Sequence, residues 1–292
     1  MRTPDPVVVS PATLRDWALP EPGSGKESRG QVLVVGGSTQ TPGAVRLAGE
    51  AALRAGAGKL AMATVASTAS SLAVAVPESQ VLGLETDADS IAVSAADDVV
   101  DRAEAVDVVL VGPGFLDPTA STSFLERVVP QLTCPIAVDA LASAYLTEHP
   151  EGLHHLTGRV VLNVNPTELA HTAGRDEEDV LRNPLDAARS VAERSRVVVL
   201  CGGRSKYVVA PSGQAWVIEG GGRGLGVSGS GDVQAGIVAG LLARCADPAQ
   251  AAVWGAYVHA RIGERLAAAI GTLGYLARDM PAQAPAVLAE LR

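Results

Sequence analysis

A run of glycines near residue 220 constrains this chain more than any other feature. Residues 220–232 read Gly-Gly-Gly-Arg-Gly-Leu-Gly-Val-Ser-Gly-Ser-Gly-Asp, and seven of the twelve residues before Asp232 are glycine. Ordering glycine costs more backbone entropy than ordering any other residue, so the run indicates close approach of backbone to a ligand. An apolar helical pattern follows from Val233 to Leu242. The run therefore predicts a helix N-terminus whose amides and dipole bind an anion such as phosphate.

Asp232 is the acidic residue at this predicted anion site. One interpretation is that its carboxylate caps the helix. The other is that it takes a proton from a hydroxyl that is being phosphorylated. The second interpretation makes Asp232 the candidate catalytic residue.

The composition favours a fold with strands that are buried on both faces. Of the 292 residues, 47% are hydrophobic but only 3% are aromatic, so Val, Leu, Ile and Ala must fill the core. Such residues suit a parallel sheet covered by helices. We expect an N-terminal arm over residues 1–30, rich in Pro, Gly and charge, followed by a single domain over residues 31–292.

Charge and cysteine usage exclude several classes of partner. A net charge of −9 argues against nucleic acid, which is bound by basic patches. Cys134, Cys201 and Cys245 have neither metal-binding nor disulfide spacing, which predicts a reducing, intracellular compartment. The N-terminus has no apolar signal core and no apolar run approaches the length of a membrane span, so we expect a cytoplasmic protein without membrane contact.

Strand and helix patterns alternate along the chain. The predicted strands are Gln31 to Val35, Lys59 to Val65, Val81 to Leu84, Val106 to Val111, Pro135 to Val138, Arg159 to Leu162, Arg196 to Leu200, and a hairpin of Lys206 to Ala210 with Gln214 to Glu219. Helical patterns follow Pro42, cover Ala88 to Ala105, run through Leu242, cover Ala249 to Ala269, surround Leu276 and cover Pro285 to Leu291. This order predicts one αβα domain with a largely parallel sheet.

Several predicted strands end in glycine turns. They are followed by Gly36-Gly37-Ser38, by Gly112-Pro113-Gly114, and by Cys201-Gly202-Gly203-Arg204-Ser205. Open parallel sheets bind ligands beyond the carboxyl ends of their strands. These turns are therefore candidate binding segments, although a plain tight turn also explains Gly112 and Gly114.

The segment Gly229-Ser-Gly-Asp-Val-Gln-Ala-Gly236 resembles the Gly-x-Gly-Asp signature of ribokinase-like enzymes. It is most similar to the ADP-dependent NAD(P)H-hydrate dehydratases, whose usual wording is Gly-Ser-Gly-Asp-Val-Leu-Ala-Gly. Further matches at Gly36 to Gly58, Val111 to Gly114 and Cys201 to Ser205 keep the family's order, so the resemblance covers residues 26 to 290. It implies a three-layer αβα ribokinase-like fold and the repair of hydrated NADH and NADPH.

The resemblance also implies roles for individual residues. Asp232 would be the catalytic base, Glu168 would help to place magnesium, and ADP or ATP would be the co-substrate. Residues implied to contact the hydrated nicotinamide substrate are Ala44, Gly112, Gly114, Asn165 and Asp232. Residues implied to surround the adenine nucleotide are Cys201, Gly202, Gly203, Arg204, Ser205, Gly229, Ser230 and Gly231.

The chain departs from the family wording at three places. Asp139-Ala-Leu-Ala-Ser-Ala144 replaces Asp-Ala-Asp-Ala-Leu-Asn, Asn165 stands where the family has a histidine, and Cys201 stands where it has a lysine. Asn165-x-x-Glu168 instead matches an element of the sugar-kinase branch that helps to place magnesium and phosphate through water. The same two residues would also cap a helix that begins at Pro166. Cys201 is interpreted as a buried spacer, because no histidine is near it in sequence.

The sequence thus predicts ADP- or ATP-dependent dehydration of hydrated NAD(P)H with Mg²⁺. A stand-alone chain without an epimerase domain favours ADP, and the resemblance implies a homo-oligomer, often a tetramer. One alternative is a ribokinase-like kinase that phosphorylates a small-molecule hydroxyl with ATP and stops there, which the departures at Asn165 and Cys201 favour. Another is a degenerate homologue that binds a nucleotide as a sensor.

Overall fold

The computed structural model describes residues 5–21 and 23–291. The strands are β1 Val7–Val8, β2 Gln31–Val35, β3 Lys59–Val65, β4 Ser79–Leu84, β5 Thr86–Asp87, β6 Ser90–Ile91, β7 Val108–Val111, β8 Ile136–Asp139, β9 Val160–Val164, β10 Val198–Cys201, β11 Lys206–Val209 and β12 Ala215–Ile218. The helices are α1 Pro11–Asp16, α2 Pro42–Arg54, α3 Ala66–Ala75, α4 Ala96–Ala103, α5 Pro118–Val128, α6 Ala144–Glu148, α7 Pro166–Ala173, α8 Glu177–Arg182, α9 Pro184–Ser195, α10 Ser230–Ala243, α11 Pro248–Ala269 and α12 Ala284–Glu290.

The main sheet is largely parallel, as predicted. Its strand order is β1-β12-β11-β10-β9-β8-β7-β2-β3-β4. Strand β11 is antiparallel to both of its neighbours, and the other pairs are parallel. The carboxyl ends of β8, β9 and β10 therefore lie side by side at one edge, where the start of β11 joins them.

Helices cover both faces of this sheet and form the two outer layers. On what we call the first face, α2, α10, α11 and α12 pack against residues such as Val34 and Leu110. On the second face, α4, α5, α7 and α9 pack against residues such as Val35 and Val111. Both cores consist mainly of Val, Leu, Ile and Ala, in agreement with the low aromatic content. The predicted αβα architecture is confirmed.

Two of the predicted strands have the observed bounds, whereas some of the predicted helices do not. The strands 31–35 and 59–65 have the predicted bounds. The predicted helix Ala88 to Ala105 is wrong at its start, because β5 and β6 form a hairpin there and α4 begins only at Ala96. Around Leu276 the chain forms a short 3₁₀ turn at Ala277–Asp279. Helices α3, α5 and α9 were not predicted.

The N-terminal arm joins the edge of the main sheet. Val7 and Val8 pair in parallel with Trp216 and Val217 of β12. Trp17 stacks on Trp216 with ring centroids 5.4 Å apart, and its carbonyl accepts a hydrogen bond from Trp254 Nε1 (2.9 Å). The predicted arm includes residues 1–4 and 22, and the predicted domain ends at 292; these positions lie outside the described residues.

Among residues 5–21 and 23–291, the structure contains no helix with the length and hydropathy that a bilayer crossing requires. The three cysteines are all free: Cys201 is buried, Cys134 is half-buried and Cys245 is exposed.

Candidate active site

A large cleft opens where β8, β9 and β10 end and α10 begins. Its volume is about 1220 Å³. The residues that follow the three strand ends line it, together with residues 222–223 and 225–232 of the glycine-rich run. Polar side chains that line the cleft are Asp139, Asn163, Asn165, Glu168, Arg204, Lys206, Glu219, Arg223, Ser228, Ser230, Asp232, Gln234 and His259. The cleft thus lies at the edge of the sheet where open parallel sheets bind ligands.

The glycine-rich run ends in the predicted helix N-terminus. Gly229 is the N-cap of α10, with φ of 89°, and it provides no side-chain cap. This positive φ favours glycine, and a Cβ at this position would also lie 2.6 Å from Leu47 Cδ1. The first intrahelical bond runs from Val233 N–H to the Gly229 carbonyl (3.2 Å). The preceding amides, including those of Gly231 and Asp232, are therefore the donors that a ligand at this N-terminus can use.

Asp232 lies in the first turn of α10 and is half-buried in the cleft. Burial, together with the negative charge of Glu168, raises the pKa of Asp232 to about 6. A carboxyl group with this pKa is mostly ionised at neutral pH and is a stronger proton acceptor than an ordinary aspartate. The side chain is therefore suited to act as a general base.

A chain of buried hydrogen bonds begins at Asp139, which is 4% exposed. Asn163 Nδ2 donates to Asp139 Oδ1 (2.6 Å), and Gln234 Nε2 donates to Asn163 Oδ1 (2.7 Å). Burial and the negative charge of Asp232 raise the pKa of Asp139 well above its usual range. Burial therefore favours the protonated form of this second carboxyl group in the cleft.

The chain continues from Gln234 to the start of α10. Lys206 Nζ donates to Gln234 Oε1 (2.6 Å) and to His259 Nδ1 (2.9 Å). His259 Nε2 lies 3.0 Å from both the hydroxyl and the carbonyl oxygen of Ser230. Burial and the positive charge of Lys206 lower the pKa of His259 well below its usual range. A neutral imidazole therefore connects the lysine to the first residue of α10.

Asn165 and Glu168 form the N-terminal cap of α7, and both line the cleft. Asn165 Oδ1 accepts from the Glu168 amide (2.9 Å), and Glu168 Oε2 accepts from the Asn165 amide (2.9 Å). Pro166 occupies the first helical position. This is a complete capping box, so the predicted capping role is present in the structure. Burial raises the pKa of Glu168.

The predicted nucleotide loop after β10 is divided between the cleft and its surroundings. Gly202, Gly203 and Arg204 line the cleft. Ser205 is not among the lining residues, and its hydroxyl donates to Glu219 Oε2 (2.9 Å). Cys201 is fully buried behind the loop, where burial raises the pKa of its thiol to about 12. A thiol with this pKa is not a nucleophile at neutral pH, which agrees with its interpretation as a spacer.

Ala44, Gly112 and Gly114 come together beside the cleft but are not among its lining residues. A Cβ on Gly114 would lie 3.0 Å from Ala44 Cβ, and one on Gly112 would lie 1.9 Å from the carbonyl oxygen of Asp139. The loop before α2 is tied to this turn, since Thr41 Oγ1 donates to the Gly114 carbonyl (2.7 Å). The structure therefore gathers these three predicted substrate residues next to the strand that carries Asp139.

Several polar residues of the cleft were not predicted to belong to a site. Asn163, Lys206, Gln234 and His259 had no predicted role in the site, and Asp139 was noted only for its family wording. The available signal was that Asn163, Lys206 and Gln234 are polar residues inside otherwise apolar segments. Such residues need buried hydrogen-bond partners.

Three comparisons relate the chain to known proteins. A family described as NAD(P)H-hydrate dehydratase matches residues 32–285. The ADP-dependent (S)-NAD(P)H-hydrate dehydratase of Xanthomonas campestris is 43% identical over 283 residues, which cover 97% of this chain and 96% of that protein. The bifunctional NAD(P)H-hydrate repair enzyme of Moorella thermoacetica is 34% identical over 263 residues, covering 90% of this chain and 50% of that protein. The chain thus spans about half the length of that bifunctional relative.

Solved structures show the same fold. A ribokinase-like superfamily protein from Enterococcus faecalis has a TM-score of 0.82 at 24% identity, covering 98% of this chain and 96% of that chain. The ADP/ATP-dependent NAD(P)H-hydrate dehydratase from Bacillus subtilis, co-crystallised with ATP and Mg²⁺, has a TM-score of 0.81 at 22% identity, covering 99% of both chains. The predicted ribokinase-like fold is confirmed.

Proposed function

Because this chain belongs to the NAD(P)H-hydrate dehydratase family, we propose that it removes water from hydrated NADH and NADPH and so restores the reduced cofactors. The phosphate donor is ADP, as in the name of the Xanthomonas campestris relative, or ATP. The observation that carries the proposal is the position of Asp232, a half-buried carboxylate in the first turn of α10, in a cleft of about 1220 Å³.

The first step is phosphoryl transfer to the hydroxyl of the hydrated nicotinamide ring. Asp232 takes the hydroxyl proton while the oxygen attacks the terminal phosphorus, and the bond from that phosphorus to the nucleotide breaks. Amides of Gly231 and its neighbours stabilise the charge that develops on the transferred group. The nucleotide leaves with one phosphate fewer. This arrangement relies on positioning and electrostatics, which agrees with the glycine-rich backbone at the start of α10.

The second step restores the ring. The carbon–oxygen bond to the new phosphate breaks, a proton leaves the neighbouring ring carbon, and the double bond reforms between the two carbons. The net change is loss of the elements of water from the hydrate and hydrolysis of one phosphate from the nucleotide. Substrate contacts of Ala44, Gly112, Gly114 and Asn165 are part of the proposal, supported by their position in or beside the cleft.

The acidic residues of the cleft fit magnesium that arrives with the nucleotide. Within the part of the chain that the structure describes, no group of three or more His, Cys, Asp or Glu residues could hold a metal alone. Mg²⁺ usually binds one or two carboxylates, substrate phosphates and several waters. Glu168, which lines the cleft, would hold it, and the ion would neutralise phosphate charge.

A cytoplasmic location and a homo-oligomeric state, often a tetramer in the family, are further proposals. Their support is the composition and the family resemblance. We also propose that residues 31–292 act as one catalytic domain and that neither nucleic acid nor membrane is a partner.

The test uses enzymatically hydrated NADH or NADPH, each incubated with ADP or with ATP. We expect the absorbance of the reduced nicotinamide to recover, faster with ADP. A stable phosphorylated product without recovery would instead support the small-molecule kinase, which the Asn165-x-x-Glu168 element favours. Nucleotide binding without turnover, equal in wild type and Asp232→Asn, would support the sensor.

A further inference from the structure

Lys206 is a buried amine in the wall of the cleft. It is 5% exposed, and it begins β11 at the edge of the sheet where the cleft opens. Its strand partner is Ile218, whose side chain belongs to the core of the first face. Directly paired residues share a face of the sheet, so Lys206 lies on the α10 side. Cys201, where the family has a lysine, instead belongs to the core of the second face, so the two residues lie on opposite sides of the sheet.

The partners of this amine do not balance a positive charge. Lys206 Nζ donates to the amide oxygen of Gln234 and to the imidazole of His259, both neutral groups. Among residues 5–21 and 23–291 it forms no ion pair. Along the chain of hydrogen bonds the first carboxyl group is Asp139, which is two amide side chains away and has a raised pKa. Within the described residues, no carboxylate therefore contacts the amine directly.

A second source of positive potential points to the same place. Because His259 Nδ1 accepts from Lys206, the ring proton lies on Nε2, which donates to the carbonyl of Ser230. The imidazole of His259 thus connects Lys206 to Ser230, the first residue of α10, where the helix dipole is positive. Burial lowers the pKa of Lys206 to about 7. Two positive sources without an anion are costly in a buried setting, and a ligand anion would relieve that cost.

We propose that Lys206 is a phosphate-binding residue of this cleft, whose ammonium supplies the countercharge for the terminal phosphates of an adenine nucleotide. The inference rests on the proposed function, which provides the nucleotide. Gln234 supports it, because this residue stands where the dehydratase wording has leucine. Leucine could not accept the hydrogen bond that orients Lys206. The chain therefore has both Lys206 and Gln234, whose amide oxygen accepts a hydrogen bond from the lysine.

The experiment compares the affinity of ADP with that of adenosine, which lacks phosphates, by isothermal titration calorimetry. Lys206→Met should weaken ADP binding about tenfold or more, the effect of losing one charge-assisted contact. Adenosine affinity should stay within about twofold, because only the phosphates face the amine. Lys206→Gln keeps a hydrogen-bond donor without the charge and should lose ADP affinity to a similar extent. Lys206→Arg should recover part of the loss.

Lys59→Met is the matched control, because Lys59 forms a surface ion pair with Glu27 and is not among the cleft residues. It should bind ADP as wild type does. Equal ADP affinity in wild type, Lys206→Met and Lys206→Gln would overturn the inference while leaving the proposed function intact. A parallel loss of ADP and adenosine binding would also overturn it, since the lysine would then only support the fold. A wild-type protein that binds neither ADP nor ATP would overturn the proposed function itself.

Discussion

Two helices, α7 and α10, present their N-termini to the same cleft. Side chains cap the first N-terminus but not the second. At α7, the side chains of Asn165 and Glu168 accept each other's backbone amides at 2.9 Å. At α10, the N-cap is Gly229, which has no side chain with which to accept. Two amides at the start of α7 are therefore satisfied by side chains. At α10 the Ser230 amide donates to the Val227 carbonyl, but the amides of Gly231 and Asp232 receive no side-chain cap and can donate to a ligand.

The difference teaches which end of the cleft should receive the anion. A helix N-terminus binds phosphate only if its amides are free to donate. Since Asp232 lies in the first turn of α10, the carboxylate with a pKa of about 6 stands beside the free amides. The capped helix contributes negative charge instead, through Glu168. The N-terminus of α10 is thus suited to bind phosphate, and the N-terminus of α7 contributes an acidic side chain to the site.

The strongest test of this division removes the base at α10. Asp232→Asn keeps the size of the side chain but cannot accept a proton, so we expect kcat to fall about 100- to 10,000-fold, the range for general-base catalysis. Recovery of nicotinamide absorbance measures kcat, and calorimetry should show ADP affinity within about twofold of wild type. A variant that retains more than about a tenth of the activity would show that the base lies elsewhere.

The next test disturbs the free N-terminus itself. Gly229→Ala places a Cβ 2.6 Å from Leu47 Cδ1 at a φ of 89°, so the loop must shift, and we expect ADP affinity to fall about tenfold. Gly174→Ala is the control, because Gly174 also has positive φ (64°) but ends α7 in open space. It should lower stability in a thermal melt and leave ADP affinity unchanged. Equal ADP affinity in Gly229→Ala and Gly174→Ala would show that the N-terminus of α10 does not bind the nucleotide.

At the capped N-terminus we expect an effect on stability and not on nucleotide binding. Asn165→Ala removes the acceptor for the Glu168 amide, which should cost about 1 kcal/mol of unfolding free energy. In a chain of this size the melting temperature should fall by about 2–4 °C. A loss of ADP affinity as large as that of Gly229→Ala would mean that α7 also binds the phosphates. Any effect on the hydrated nicotinamide would appear separately, in the KM of that substrate.

The smallest expected effect links the two helices through charge. Because Asp232 must be ionised to act as a base, kcat/KM should rise with pH through about 6. The negative charge of Glu168 raises that pKa, so Glu168→Gln should move the midpoint to lower pH. Glu193→Gln removes an exposed charge on α9 that is not among the cleft residues and should leave the midpoint unchanged. A shift to higher pH in Glu168→Gln would contradict this coupling.

Local patterns in the sequence predict many of the strands and helices of the fold. The run Lys59 to Val65 has strand composition throughout, and the structure keeps those bounds. The segment Ala88 to Ala105 misled because its helical spacing continues through the hairpin of β5 and β6, where Ala88 adopts a positive φ of 50°. The residues around this turn, Asp87, Asp89 and Ser90, are common in turns, and the prediction did not use that signal.

The polar network of the cleft could not be predicted for a different reason. Lys206 meets Gln234 across 28 positions and His259 across 53. Each contact depends on how β11, α10 and α11 pack, which no local pattern specifies. The glycine-rich run, by contrast, could be predicted to end at a helix N-terminus, because the glycines and the helix that follows are neighbours in sequence. The helix that begins after the glycine-rich run was therefore predicted, whereas the contacts of Lys206 were not.

The stacking of Trp17 on Trp216 has an optical consequence. The protein has three tryptophans, and Trp254 is hydrogen-bonded to the backbone of Trp17, so all its indoles belong to one assembly at the sheet edge. Intrinsic fluorescence therefore reports on whether the N-terminal arm stays in place. Detachment of the arm would bring water to Trp216 and shift the emission to longer wavelengths.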